Sequence, residues 1–162
     1  MPRTQRFLFL AIFLGCVALL GFALYLQETK HLLPCPLCVV QRIAYWLVGL
    51  TALLAFLHNP QRLGRRLYSG LLFMFALAGA AVALYHVWLV RHPHPGGCRA
   101  SPEEAFLNAL PLAQWWPEMF AANGDCALVG WEWMALTIPD WSLLCFLLLA
   151  GVAVYFFVTQ KN

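Results

Sequence analysis

Charge is what this chain has least of. Asp, Glu, Lys and Arg make up only 10% of its 162 residues, against roughly 25% in ordinary soluble domains. A surface built from so little charge is not solvated over most of its area, and no nucleic acid is expected as a partner. Also missing are a CxxCH haem-attachment motif, a GxGxxG dinucleotide loop and any iron–sulfur cysteine spacing. If the chain moves electrons, a mobile acceptor is the economical choice. In place of charge the chain is 62% hydrophobic, and those residues fall into blocks of membrane length.

Residues 7–26 carry no charge. Residues 37–57 are apolar except for Gln41, Arg42 and Thr51; 67–90 are broken only by Ser69 and His86; 141–158 contain Ser142 as the one clearly polar member. A bilayer core of about 30 Å needs about 20 such residues in a helix. The pattern predicts a single all-α integral membrane domain, a four-transmembrane-helix bundle with spans at 7–26, 37–57, 67–90 and 141–158. Cytoplasmic segments are expected at 1–6, 58–66 and 159–162, and outer loops at 27–36 and 91–140. Basic residues set this orientation: Arg3, Arg6, Arg62, Arg65, Arg66 and Lys161 fall on one side, whereas all seven acidic residues fall opposite. A cleaved signal peptide over the first block is rejected. Its apolar run exceeds the usual 7–15 residues, and no convincing small-x-small site follows.

This topology puts Cys35, Cys38, Cys98 and Cys126 on the outer side, where disulfides form and persist. Cys16 and Cys145 lie within spans and read as inert packing residues. Pro36 suits the first position of a helix, which makes Cys35 the cap and puts Cys38 at the third helical position. Both sulfurs then sit near a helix N-terminus, where the macrodipole favours a thiolate. Arg42, four residues on, shares a helix face with Cys38 and adds a cation beneath it. CxxC alone also occurs in zinc ribbons and structural disulfides; CxxC opening a transmembrane helix with arginine at i+4 is more specific.

A charge inside a span is a functional-site hypothesis by default, although Arg42 is shallow enough to snorkel to the interface. His86 lies at matching depth near the outer end of the third span. It reads either as a packing histidine bonded to a neighbouring helix or as the second wall of a polar pocket shared with Arg42. In the long outer loop, Ser101-Pro102-Glu103-Glu104 predicts a helix start, and an amphipathic stretch follows over 105–120. Its tryptophans, with Trp131, Trp133 and Trp141, favour the bilayer interface. The loop is therefore expected to carry a short helix lying on the membrane, with Cys98 and Cys126 near the mouth formed by Cys35 and Cys38. Taken alone, Cys98 and Cys126 would read as one structural disulfide; the neighbouring CxxC reverses that preference.

Chemistry alone leaves two main readings. One is a membrane thiol oxidoreductase that passes electrons from an outer dithiol to a membrane-borne acceptor such as a quinone. The other is a non-catalytic four-helix scaffold stapled by two structural disulfides. A zinc site on Cys35, Cys38 and a histidine is a weaker third, and an oxidising compartment argues against it. No metal ligand is assigned.

At these residues the chain resembles the DsbB family of bacterial disulfide-bond formation proteins. The resemblance is carried by Pro34-Cys35-Pro36-Leu37-Cys38-Val39-Val40-Gln41-Arg42, by Tyr85-His86, and by the segment 110–141. That segment contains Gln114, Trp116-Pro117, Phe120, Gly124-Asp125-Cys126, Trp131 and Pro139-Asp140-Trp141. It implies a quinone-dependent enzyme of the bacterial inner membrane that reoxidises a DsbA-like thioredoxin-fold oxidase and feeds the respiratory chain, using ubiquinone or menaquinone. A paralogue dedicated to another thioredoxin-like oxidase fits the same residues. By the same resemblance, Cys98 forms the mixed disulfide with the partner, Cys126 resolves it, and Cys35/Cys38 are the quinone-coupled pair, with Cys38 against the quinone ring. Arg42 and His86 are implied to support quinone binding, and Cys35 to pair transiently with Cys126. Gln41 departs from a position that is often glutamate, which puts a proton role there in doubt.

Overall fold

Prolines and polar turns divide the chain where its apolar blocks end. The computed structural model describes residues 3–92, 102–127 and 131–159; Cys98 lies outside them. The elements run α1 (Arg3–Lys30), α2 (Pro36–His58), α3 (Arg62–Arg91), three short helices α4 (Pro102–Ala109), α5 (Pro111–Trp115) and α6 (Pro117–Phe120), a hairpin of β1 (Glu132–Trp133) and β2 (Leu136–Thr137), and α7 (Ile138–Thr159). Among the described residues, α1, α2, α3 and α7 are long and apolar enough to cross a membrane. The chain is an all-α, multi-pass membrane protein built on four helices.

Helix α2 packs between α1 and α3, and α3 packs on α7. Large side chains such as Leu54, Leu84 and Leu148 point outward, as lipid-facing residues do. The inward faces use small ones: Ala76, Gly79, Ala80 and Ala83 on α3 meet Ala150 and Ala153 on α7. Small residues let membrane helices approach closely, where dispersion rather than the hydrophobic effect holds them. Gly79 shows how closely, because a Cβ there would run into the ring of Phe146. That ring in turn stacks on Tyr45 with centroids 4.1 Å apart.

The bundle is shut at the end that carries both termini. Phe9 of α1 stacks on Phe156 of α7 at 4.5 Å, and Gln5 Nε2 donates to Thr159 Oγ1 at 3.2 Å. Arg65 Nη1 donates to Gln5 Oε1 at 2.8 Å, and Arg6 lies over the Phe56 ring. Toward the other end a cavity of about 960 Å³ opens, with Leu19, Phe22 and Leu26 of α1 on one wall and Pro139, Ser142 and Cys145 of α7 on another.

The loop segments cover that open end. The single amphipathic stretch expected over 105–120 is three short helices, because Pro111 and Pro117 each start a new one and cannot continue the one before. The hairpin turns through Met134 (φ 55°) and Ala135 (φ 61°), the left-handed pair that a type I′ turn requires and that non-glycine residues resist. Trp133 then lies against Trp141 at 5.3 Å. Asp140 anchors the start of α7. It accepts from Thr137 N (3.0 Å) and Thr137 Oγ1 (2.7 Å) and pairs with Arg91 of α3 at 2.9 Å.

Candidate functional site

Cys35 caps α2 in an extended conformation (φ −80°, ψ 164°), with Pro36 following it into the first turn. Its Sγ accepts from Cys38 N at 3.3 Å, so sulfur takes the place that a serine oxygen usually fills at a helix N-terminus. The cap geometry brings the two sulfurs to 2.9 Å.

A second segment is stapled onto this one. Asn123 N and Gly124 N both donate to Pro34 O, at 2.9 and 3.0 Å, immediately before Cys35. Gly124 makes the approach sterically feasible, since a Cβ there would collide with the Leu33 carbonyl. The neighbouring backbone is gripped by Asn108 of α4, which donates to Ala122 O and accepts from Ala122 N, both at 2.8 Å. Held from both sides, Cys126 is buried against Cys35 and Leu89. Three sulfurs thus crowd one point, with Cys35 in the middle. The Cys126 sulfur first, then the Cys38 sulfur and burial, push the Cys35 thiol well above its ordinary range. A negative charge on Cys35 would face two other sulfurs.

His86 of α3 closes the cluster. Its Nε2 lies 3.2 Å from Cys126 O and 3.7 Å from Cys35 Sγ, and its Nδ1 lies 3.1 Å from Gln41 Nε2. A carbonyl can only accept, so Nε2 carries the proton and donates to Cys126 O. Nδ1 is then an acceptor, which matches the Gln41 amide donating to it. Gln41 and His86 are both buried, at 5% and 4% exposure. The Gln41 amide therefore sets the imidazole tautomer; an ionised carboxylate in its place would accept from Nδ1–H and select the opposite one.

Arg42 does not snorkel to solvent; it is 8% exposed. Its Nη1 donates to Glu118 O (3.0 Å) and Met119 O (3.2 Å) at the end of α6, and its Nη2 donates to Gln27 Oε1 of α1 at 3.0 Å. One guanidinium thus ties the outer loop, α1 and α2 together. It also lies close enough to Cys38 to act on that sulfur electrostatically. Arg42, His86, Cys35 and Cys38 all line the large cavity. Deeper in, Tyr45 OH lies 3.2 Å from Ser142 Oγ.

Of the residues singled out from sequence, Cys35, Cys38, Cys126, Arg42 and His86 converge here, and Cys98 lies outside the described residues. Cys16 is buried against Gly49, whereas Cys145 is half-buried in the cavity wall. Sequence reasoning missed Gln27 and Asn108. Gln27 had a weak signal, a polar residue just past an apolar block. Asn108 had none, because nothing in its spacing pairs position 108 with 122.

The arrangement suits thiol–disulfide exchange, in which a thiolate attacks a neighbouring disulfide sulfur. Comparisons with known proteins agree. Residues 5–156 match the family described as disulfide bond formation protein DsbB. The chain is 58% identical over 160 residues to disulfide bond formation protein B of Nitrosospira multiformis, covering 99% of this chain and 95% of that protein. It is 62% identical to the protein of the same name from Nitrosomonas europaea, covering 92% and 91%. It is 42% identical to disulfide bond formation protein B 1 of Pseudomonas aeruginosa, covering 97% of each. With its sulfur cluster at the end of a four-helix membrane bundle, this chain belongs to the DsbB family of disulfide bond formation proteins.

Proposed function

We propose that this protein is a thiol:quinone oxidoreductase of the bacterial inner membrane that reoxidises a DsbA-like thioredoxin-fold oxidase in the periplasm. The observation that carries this reading is the contact of Cys126 with Cys35, beside Cys38, at the mouth of an apolar cavity. Two structural disulfides would have no reason to meet. The clustering of Arg6, Arg62, Arg65 and Arg66 away from the acidic loops supports cytoplasmic termini.

The exchange balances as follows. A partner thiolate attacks Cys98 of a Cys98–Cys126 disulfide and releases the Cys126 thiolate. The second partner thiolate then attacks its own bridged sulfur, so the partner leaves oxidised and Cys98 is freed as a thiolate. Cys126 attacks Cys35 of a Cys35–Cys38 disulfide and releases Cys38 as a thiolate. Attack of Cys98 on Cys126 restores the first disulfide and leaves Cys35 and Cys38 reduced. A quinone, when bound, takes up their electron pair and two protons as the Cys35–Cys38 disulfide re-forms. Through the quinone, the electrons reach the respiratory chain.

The cavity's residues fit such an acceptor, ubiquinone or menaquinone. Apolar walls from α1 and α7 suit an isoprenoid tail, and the donors of Arg42 and Gln41, with His86 beside them, stand at the polar end. Arg42 would hold the Cys38 thiolate and orient an acceptor oxygen above it. His86, kept as an Nε2–H donor by Gln41, would hold the Cys126 carbonyl and so aim that sulfur at Cys35.

The test is to purify the protein in detergent, add a reduced thioredoxin-fold oxidase, and follow quinone absorbance. Loss of quinone absorbance that Cys38→Ala abolishes is expected. Partner oxidation that proceeds equally well without quinone would overturn the reading. The order is tested separately: Cys126→Ala should trap a covalent complex with the partner, and Cys98→Ala should not.

A further inference from the structure

The cluster that exchanges electrons also has the composition of a metal centre. The ligand atoms of Cys35, Cys38 and His86 all lie within 4.8 Å of one another, and the Cys126 sulfur touches Cys35. Three sulfurs and one imidazole make up a Cys₃His set, which closes around zinc as a tetrahedron. With metal–sulfur bonds of about 2.3 Å and metal–nitrogen bonds of about 2.0 Å, tetrahedral ligands stand roughly 3.5–3.8 Å apart. Cys35 Sγ and His86 Nε2 are already 3.7 Å apart, and Cys35 Sγ and Cys38 Sγ, at 2.9 Å, need to separate by less than 1 Å.

We propose that the fully reduced protein captures one divalent cation of intermediate softness, zinc or cadmium, on Cys35, Cys38, Cys126 and His86, and that the bound ion withholds it from the redox cycle. Capture itself rests on geometry alone; withholding it from the cycle rests on the redox function proposed above. Binding exchanges three thiol protons for the ion, with no electron transferred. The resulting site carries one net negative charge, which the Arg42 cation beneath Cys38 offsets. The second shell needs one rearrangement, which gives up the Nε2–H bond to Cys126 O. If the Gln41 amide presents its oxygen instead of its nitrogen, it accepts from Nδ1–H and turns the Nε2 lone pair toward the sulfurs. Cys35, Cys126 and His86 are each less than 5% exposed, which limits competition from water. The Cys35–Cys38 disulfide removes two ligands and the Cys98–Cys126 disulfide a third, so only the reduced form binds. The oxidising compartment thus argues against a resident metal, and in the cycle above Cys126 is bridged whenever Cys35 and Cys38 are both reduced. The site opens only when a second reduced partner opens Cys98–Cys126 before the Cys35/Cys38 pair has been reoxidised.

Cadmium provides the test, because its thiolate complexes absorb in the ultraviolet. The full-length protein is reduced with a phosphine, freed of reductant under anaerobic conditions, and titrated with cadmium without quinone or partner. One equivalent should saturate the thiolate band in the reduced protein, and none should bind to the oxidised protein. Cys38→Ser and Cys126→Ser should each remove one thiolate's share of the band. His86→Gln should keep the band and weaken binding roughly tenfold or more. A Cys16→Ala/Cys98→Ala/Cys145→Ala variant should bind as before. Equal binding by oxidised protein, or a band lost in that triple variant, would overturn the proposal. Quinone reduction, measured separately with and without one equivalent of cadmium, distinguishes the two readings. Cadmium binding without any quinone turnover would discredit only the proposed function. Quinone turnover unaffected by a bound equivalent would refute the withholding.

Discussion

The two ends of the helical bundle handle polar groups in opposite ways. At the end with the termini, Gln5 bonds Thr159 and Arg65, and Arg6 donates to Phe56 O, near the surface and over a stacked Phe9–Phe156 core. At the other end Arg42, Gln41 and His86 are buried, and their partners come from other elements: Glu118 and Met119 of the loop, Gln27 of α1 and Cys126. Exposed hydrogen bonds trade with water and contribute little, whereas a buried donor that loses its partner costs about 1–3 kcal/mol and more if charged. The first end is therefore tolerant and the second is not. Burial is also what gives the second end its chemistry, because Cys35 and Cys126 meet out of contact with solvent, next to Cys38 in the cavity wall.

The largest break in that contrast should come from Gly124→Ala. The new Cβ pushes the 121–126 segment off the Leu33 carbonyl and moves Cys126 away from Cys35. Displacement of a reacting group by about 1 Å can cost roughly 100-fold, and turnover with a reduced oxidase should fall by that order while helicity by circular dichroism stays unchanged. Arg42→Ala comes next. It strands two loop carbonyls and Gln27, and quinone-dependent turnover should drop roughly tenfold, as the loss of about 1.4 kcal/mol or more of charged hydrogen bonding implies. Arg42→Lys should recover only part of this, since an ammonium cannot span the three acceptors as a planar fork does. Turnover unchanged at limiting quinone would sink the assignment.

Asn108→Ala removes the grip on Ala122 and should slow partner oxidation several-fold, as a net loss of about 1 kcal/mol implies. The quinone KM should stay put; if it rises instead, Asn108 acts on the cavity rather than on Cys126. A smaller effect concerns titration. Because neighbouring sulfurs and burial raise the Cys35 thiol, its thiolate fraction in the reduced protein keeps growing as pH rises past about 8.5, where an ordinary cysteine is half ionised. Alkylation of Cys35, followed by mass spectrometry in a Cys38→Ser/Cys126→Ser background and in the parent, should level off at lower pH in the variant. The smallest effect belongs to the tolerant end: Gln5→Ala should change stability by no more than about 0.5 kcal/mol and leave turnover alone.

Much of the fold was legible because the bilayer imposes a length. Uncharged blocks of about 20 residues have few other uses, and Pro36 marks where α2 begins. The CxxC pair and Arg42 were legible as one helix end, since their spacing is local and the helix repeat does the rest. His86 was legible only as a depth, and its neighbours came from another helix and the loop. The one predicted amphipathic helix over 105–120 failed to anticipate Pro111 and Pro117 acting as two separate starts. Arg42 read as a cation for a thiolate, and its three oxygen partners lie 15 to 77 residues away in sequence.

By itself the sequence determined the four membrane helices, the cap that pairs Cys35 with Cys38, and the arginine one turn below. Each of these depends on interactions within about a turn of one helix or on the thickness of the membrane. Only the tertiary structure decided that Cys126 rests on Cys35, that Gln41 sets the tautomer of His86, and that Asn108 and Arg42 hold the loop over the open end of the bundle. Those are pairings between distant segments. They are chosen by which buried donor can reach which buried acceptor once the helices have packed, and no local periodicity encodes that choice.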